Sequence, residues 1–241
     1  MAKKPQISRF GDRGILMQWD FDFSPENLKI LLSAKAKIAS LLQPEVEVVN
    51  TYTSVLVRYP HIINSRDTDL KALQKLNFDP TKDFEVEQRV VELPVCYDSH
   101  FGLDLEFLAK EKKQSIDSLI RLHTAPVYTV YFIGFLPGFP YLGGLDERLA
   151  FPRKKEPRSR IEKGAVGIAE NQTGIYPTAS PAGWQIIGNC PLTLFDPNVP
   201  EPCLLKAGDQ IRFKEVDIEA HARIKNAVEN GNYELNIEEN G

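Results

Sequence analysis

VYTVYFIGFLPGFPYLGG, residues 127–144, joins two halves of opposite character. Its first half, Val127 to Phe135, is so rich in β-branched and aromatic residues that it predicts a strand buried on both faces. Its second half, GFLPGFPYLGG from Gly134 to Gly144, packs six Gly or Pro among eleven residues with Phe135, Phe139 and Tyr141 between them. From there to about Phe213, Gly and Pro recur between short apolar runs, the texture of an all-β barrel or sandwich with tight turns. Two short helical segments, Asp104 to Lys112 and Ser115 to Leu122, precede the buried strand.

Working back toward the N-terminus, the texture changes near Pro94. An extended opening with Ile15, Leu16 and Trp19 leads to Ser24 and Pro25, which suit the N-cap and first turn of a helix ended by Pro44. Val46 and Val48, then Val55, Val57 and Tyr59, alternate as strands; Asp67 to Leu76 reads as a second helix and Phe84 to Val95 as a strand. That order is the split βαβ pattern of a ferredoxin-like α+β domain. The expected organisation is therefore α+β, mainly β: residues 1–90 ferredoxin-like, 91–216 a β-barrel, and 217–241 a peripheral helix with a frayed acidic tail, NIEENG.

Across 241 residues, 42% hydrophobic and 26% charged, there is ample apolar surface for a core, and the net charge of −4 argues against nucleic acid or an anionic membrane as partner. Cys96, Cys190 and Cys203 are odd in number and far apart, which fits a reducing cytoplasm rather than a disulfide framework. No apolar run is long enough to span a bilayer. The cysteines and His61, His100, His123 and His221 lack ligand-like spacing, so no metal is expected. Neither a phosphate-binding P-loop, nor a GxSxG elbow, nor a Met-Lys-Met biotin attachment pattern occurs.

Three segments could carry chemistry, and each also has a plain structural reading. In the Gly134–Gly144 loop, Gly134, Pro137 and Gly138 either shape a surface loop whose aromatics plug the barrel or form one wall of a ligand cleft. In FPRKKEPRSRIEKG, Arg158 and Arg160 either join a solvated basic face or fork onto a substrate carboxylate or phosphate, while Lys154 and Lys155 look solvent-facing. In VGIAENQTGIYPTASPAGWQIIG, the groups of Gln172, Thr173, Tyr176, Ser180 and Trp184 either satisfy turns or hold a polar small molecule. His123, between a helix and the buried strand, is either a structural hydrogen-bonding residue or a proton carrier.

RLHTAPVYTVYFIGFLPGFPYLGGL, FPRKKEPRSRIEKGAVGIAENQTGIYP and SPAGWQIIGNCPLTLFDP together resemble the KipI family, whose members are also called allophanate hydrolase subunit 1 or the B subunit of 5-oxoprolinase. The resemblance implies a cyclophilin-like β-barrel after the α+β domain. It also implies a non-autonomous component of a bacterial ATP-dependent 5-oxoprolinase, cleaving 5-oxo-L-proline to L-glutamate. The partners implied are the A and C subunits of that enzyme, the latter resembling allophanate hydrolase subunit 2. ATP would be used by the assembled complex, since this chain carries no recognisable cofactor motif. Alternatives within the family are an inhibitor of a sensor histidine kinase and a component of urea carboxylase or allophanate hydrolase. Carried over by position, His123, Gln172 and Tyr176 would be catalytic; Arg158, Arg160, Thr173, Ser180 and Trp184 would bind substrate; Gly134, Pro137 and Gly138 would wall the site. The chain departs from the family's pattern at Ala165 in GAVGIA, Glu170 and Asn171 in ENQTG, and Ala182 in SPAGW, positions where an altered side chain bears on ligand approach.

Overall fold

The computed structural model describes residues 4–22, 24–63, 73 and 88–240, and the chain divides into two compact units, Met1–Val86 and Glu87–Gly241.

In the first unit, β1 (Gln6–Phe10) and β2 (Gly14–Gln18) form a hairpin, followed by α1 (Pro25–Leu41), β3 (Glu47–Asn50) and β4 (Ser54–Arg58). The sheet order is β1-β2-β4-β3, antiparallel throughout, so β4 lies between the parallel strands β2 and β3 that α1 connects. This is the split β-α-β unit expected, with an added N-terminal hairpin strand. Ser24 caps α1 by accepting a hydrogen bond from the Asn27 backbone, and Pro25 occupies its first turn. Leu31, Ala34 and Ile38 on one helix face meet Ile15, Met17, Val55 and Val57 on the inner face of the sheet. The expected helix Asp67 to Leu76 lies outside the described residues except Leu73, which is helical and buried in this core.

The second unit begins with β5 (Gln88–Cys96), which departs from the sequence expectation. The strand read at Phe84 to Val95 does not complete the N-terminal sheet; over its described length it pairs in parallel with β13 (Gln210–Val216) inside the barrel. Helices α2 (Leu105–Lys112) and α3 (Ile116–Thr124) follow, then β6 (Val127–Ile133), β7 (Pro140–Gly143), β8 (Arg158–Ile161), β9 (Ala165–Ala169), β10 (Gln172–Ile175), β11 (Ser180–Ala182) and β12 (Gln185–Asn189). Seven strands in the order β12-β9-β10-β7-β6-β13-β5 close on themselves through the pairing of Asn189 with Cys96, and β8 and β11 form a separate two-stranded ribbon. Alternation along the strands sends Val91, Leu93, Tyr128, Val130, Val166, Ile168, Ile175 and Phe213 into one core.

After β13 comes α4 (Ile218–Glu229), the expected peripheral helix, capped by Asp217. The tail does not fray: Ile237–Asn240 forms β14, antiparallel to Gln88–Val91 of β5. β5 pairs with β12 only at Cys96, so its upstream backbone would otherwise be an open edge.

Candidate functional site

The three sequence segments meet on the outer face of β9 and β10. On β9, Val166 and Ile168 point into the barrel core, while Ala165 and Ala169 lie in a second apolar cluster with Phe139, Ile161, Tyr176, Ala182, Trp184 and Ile186. Small residues on this face leave room for flat rings. A Cβ on Gly174 would stand 2.9 Å from Phe139 Cζ, and one on Gly167 would stand 3.1 Å from Trp184 Cβ. Phe139 meets Tyr176 edge-on at 5.0 Å and Trp184 at 5.5 Å, with Tyr141 at 5.0 Å from Phe139. The rings of the 134–144 loop thus cover the outside of the barrel and do not plug it. The Arg153 guanidinium sits over the Trp184 ring at 5.8 Å.

Three residues of the loop have left-handed φ: Phe135, Gly138 and, at its end, Gly144. Gly138 has φ +82°, and a Cβ there would meet Phe195 Cβ at 2.7 Å and the Leu194 carbonyl oxygen at 2.9 Å. Phe135 takes φ +64° without being glycine, and its ring is 65% exposed at the loop's tip. Gly134 donates to the Phe139 carbonyl at 3.1 Å, closing the loop, and Pro137 is exposed.

Tyr176 and Trp184 therefore belong to one packed aromatic wall. Burial raises the Tyr176 phenol well above its ordinary pKa, so it stays protonated at physiological pH. Gln172 begins β10 half-buried, directly after the exposed Glu170–Asn171 turn, and Ser180 sits half-buried on β11. The departures from the family pattern sort accordingly: Ala165 and Ala182 are buried under the aromatic wall, while Glu170 occupies a left-handed turn position at φ +53°.

His123 and Thr173 lie elsewhere, sealed in the barrel core with no exposure. The Thr173 hydroxyl donates its one proton to the Gly167 carbonyl at 3.0 Å, so it accepts from His123 Nε2 at 3.0 Å. That leaves His123 Nδ1 to accept from the Tyr97 hydroxyl at 2.6 Å. The ring stacks on Phe213 at 4.5 Å, and burial pushes its pKa down to about 3. Both nitrogens are committed and the ring is fully buried, the geometry of a structural hydrogen-bonding histidine.

Arg158 is likewise occupied. Its two terminal nitrogens each donate at 2.7 Å to the Asp104 carboxylate, which also accepts from Lys154 Nζ at 3.1 Å and from the Ile186 backbone at 2.7 Å. Asp104 is 3% exposed. Burial alone would raise its pKa, yet the hydrogen bonds from Arg158, Ile186 and Lys154 together hold it below the usual carboxylate range. The fork expected on a substrate anion is spent on an internal carboxylate, and Lys154, read as solvent-facing, joins it. In the sequence Asp104 stands out only as a helix start; 54 residues separate it from Arg158, and no local signal links them.

Arg160, by contrast, faces solvent. It forms no ion pair among the described residues and lines a cleft of about 610 Å³ with His100, Phe101, Asn189 and His221. Of these neighbours, the sequence offers His100 and His221 for consideration only as metal ligands. Among the described residues no group of three or more His, Cys, Asp or Glu could hold a metal ion, the three cysteines are free thiols, and no helix is long and apolar enough to cross a membrane.

Residues 5–205 match the carboxyltransferase domain, subdomain C and D, family. The chain is 39% identical to the 5-oxoprolinase B subunit of Bacillus subtilis (strain 168) over 227 residues, 90% of this chain and 95% of that one. The crystal structure of TTHA0988 superposes with a TM-score of 0.73 at 35% identity, covering 85% of this chain and 40% of that chain. The urea amidolyase of K. lactis superposes with a TM-score of 0.79 at 22% identity, covering 98% of this chain and 16% of that one, a likeness of fold.

Proposed function

Because the chain belongs to the carboxyltransferase subdomain C and D family and is similar to 5-oxoprolinase B subunits, we propose that it is the B subunit of an ATP-dependent 5-oxoprolinase, opening 5-oxo-L-proline to L-glutamate together with the A and C subunits. The observation that carries this reading is the match to the Bacillus subtilis protein, which runs through nearly the whole length of both chains.

The chemistry explains the need for ATP. A five-membered lactam is a stable amide, and attack of its carbonyl oxygen on the γ-phosphorus, with ADP leaving, gives a phosphorylated imidate. Water then adds at the activated carbon and the C–N bond opens with the nitrogen taking up a proton, leaving an acyl phosphate, which a second water hydrolyses to release phosphate. Lactam, ATP and two waters thus give glutamate, ADP, phosphate and a proton. Preorganised donors around the charged oxygens would lower the barrier.

This chain's residues divide between contact and support. Arg160 would hold the substrate carboxylate in the cleft it lines, none of whose lining residues belongs to the aromatic wall. Phe139, Tyr176 and Trp184 would make that wall rigid and dry, with the Gly134–Gly138 loop setting its edge. Arg158, His123 and Thr173 are positioning residues in this scheme: the first ties the β8–β11 ribbon to Asp104, and the others fix β10 to the core. ATP would be bound with the partner proteins.

Purified alone, the chain should show no 5-oxoproline-dependent ATP hydrolysis, and adding the A and C subunits should produce it. Turnover by the isolated chain would overturn its reading as one component of a complex; an assembled complex that ignores 5-oxoproline would overturn the substrate.

A further inference from the structure

The cleft lined by Arg160 contains one feature the aromatic wall does not use. His221, on α4, is 5% exposed, and its ring lies 4.4 Å from that of Phe101. Asn189 Nδ2 donates to the Lys163 carbonyl at 2.9 Å, so the Asn189 oxygen is the acceptor of the 2.8 Å bond from His221 Nε2. His221 Nδ1 has no hydrogen-bond partner among the described residues, although the ring lines the cleft. A ring nitrogen with an open lone pair on a cleft wall can accept from a ligand N–H. We propose that this cleft binds a small monocarboxylic acid carrying an N–H group, with its carboxylate on the Arg160 guanidinium and its N–H donating to His221 Nδ1.

Three properties select that ligand class. Burial first, then the charges of Lys225 and His100, push the His221 pKa below its ordinary value, so at neutral pH the ring is uncharged and Nδ1 accepts. The cleft's charge is mixed: Arg160, Lys163 and Lys225 are balanced in large part by Glu162 and Glu229. It therefore offers no field for a polyanion such as a nucleotide triphosphate, and an anion is held by the fork of Arg160 and not by net charge. Phe101, Leu192 and Ile218 supply apolar walls for a compact hydrocarbon body, and about 610 Å³ is ordinary for a small-molecule site. The inference rests on the oxoprolinase reading for its probe, because 5-oxo-L-proline combines one carboxylate with one lactam N–H.

Isothermal titration of the full chain tests it with 5-oxo-L-proline, 2-pyrrolidinone (no carboxylate), cyclopentanecarboxylate (no N–H) and ATP. The expected result is saturable binding of 5-oxo-L-proline at least tenfold tighter than either truncated analogue, with ATP not competing. Arg160→Gln, at an exposed position that leaves the fold alone, should abolish the preference over 2-pyrrolidinone; His221→Phe should abolish the preference over cyclopentanecarboxylate. No saturable binding, or wild-type selectivity in Arg160→Gln, overturns the proposal. A complex whose 5-oxoproline-dependent ATPase is normal but whose KM is untouched by Arg160→Gln would reject the cleft and leave the function standing. Binding that persists where the complex shows no such ATPase would reject the function and keep the cleft.

Discussion

Arg158 and Asp104 form a two-pronged ion pair, 2.7 Å on each prong, between the β8 ribbon and the residue that opens α2. The carboxylate is buried and four donors converge on it, so losing the charge leaves Arg158 and Lys154 without their counter-ion. Asp104→Asn should destabilise the protein by about 3 kcal/mol, the lower end for a broken buried pair because both cationic side chains remain 26% exposed. Since the folded pKa is depressed, this stabilisation is complete above the unfolded value near 4 and is lost as pH falls through the folded value. Urea denaturation should show the wild type losing stability more steeply than Asp104→Asn below about pH 4; parallel curves would contradict the pairing.

His123 should mark itself at a higher pH. Its pKa is about 3 in the fold against 6.5 for the free side chain, so between those values the unfolded chain holds a proton that the folded chain refuses. Stability should fall by about 1.4 kcal/mol per pH unit from this residue alone as pH drops below about 6.5. His123→Gln, which titrates no proton, should show a shallower slope over about pH 4–6. An unchanged slope would mean that the ring is not sealed as described.

Gly174 is the seat of the Phe139 ring. Adding one methyl in Gly174→Ala places it 2.9 Å from both Phe139 Cζ and the Pro140 carbonyl oxygen, and the backbone atom cannot swing aside. A loss of about 1–3 kcal/mol is expected from overpacking, together with a changed near-ultraviolet circular dichroism signal as the aromatic wall shifts. A variant with native stability and spectrum would show the wall to be loosely packed.

Deleting residues 237–241 removes β14 and uncovers the backbone of β5 from Gln88 to Val91. Loss of a few backbone hydrogen bonds should cost roughly 1–3 kcal/mol. Hydrogen exchange should quicken locally in residues 88–91, and the exposed edge should increase self-association. Unchanged exchange there would show that the tail does not protect this strand.

What was legible in the sequence was what short-range chemistry dictates. Ser24 and Pro25 announced α1 because capping is satisfied within three residues, and the β-branched and aromatic run from Val127 announced β6 as a strand, although it is not buried on both faces as expected: Val127 is exposed and Thr129 only half-buried. Gly and Pro spacing announced a turn-rich barrel for the same reason, and the motif order carried the family. Which polar groups are spent depends on partners far away in sequence that the fold brings together. Arg158 finds Asp104 across 54 positions, His123 finds Thr173 across 50, and His221 finds Asn189 across 32; each pairing satisfies a buried polar group that no neighbour in sequence could reach. The same limit explains the tail. NIEENG has the composition of a frayed end, yet β5 presents an unpaired backbone edge, and backbone hydrogen bonding is indifferent to side-chain identity, so the segment becomes a strand where the fold supplies a partner.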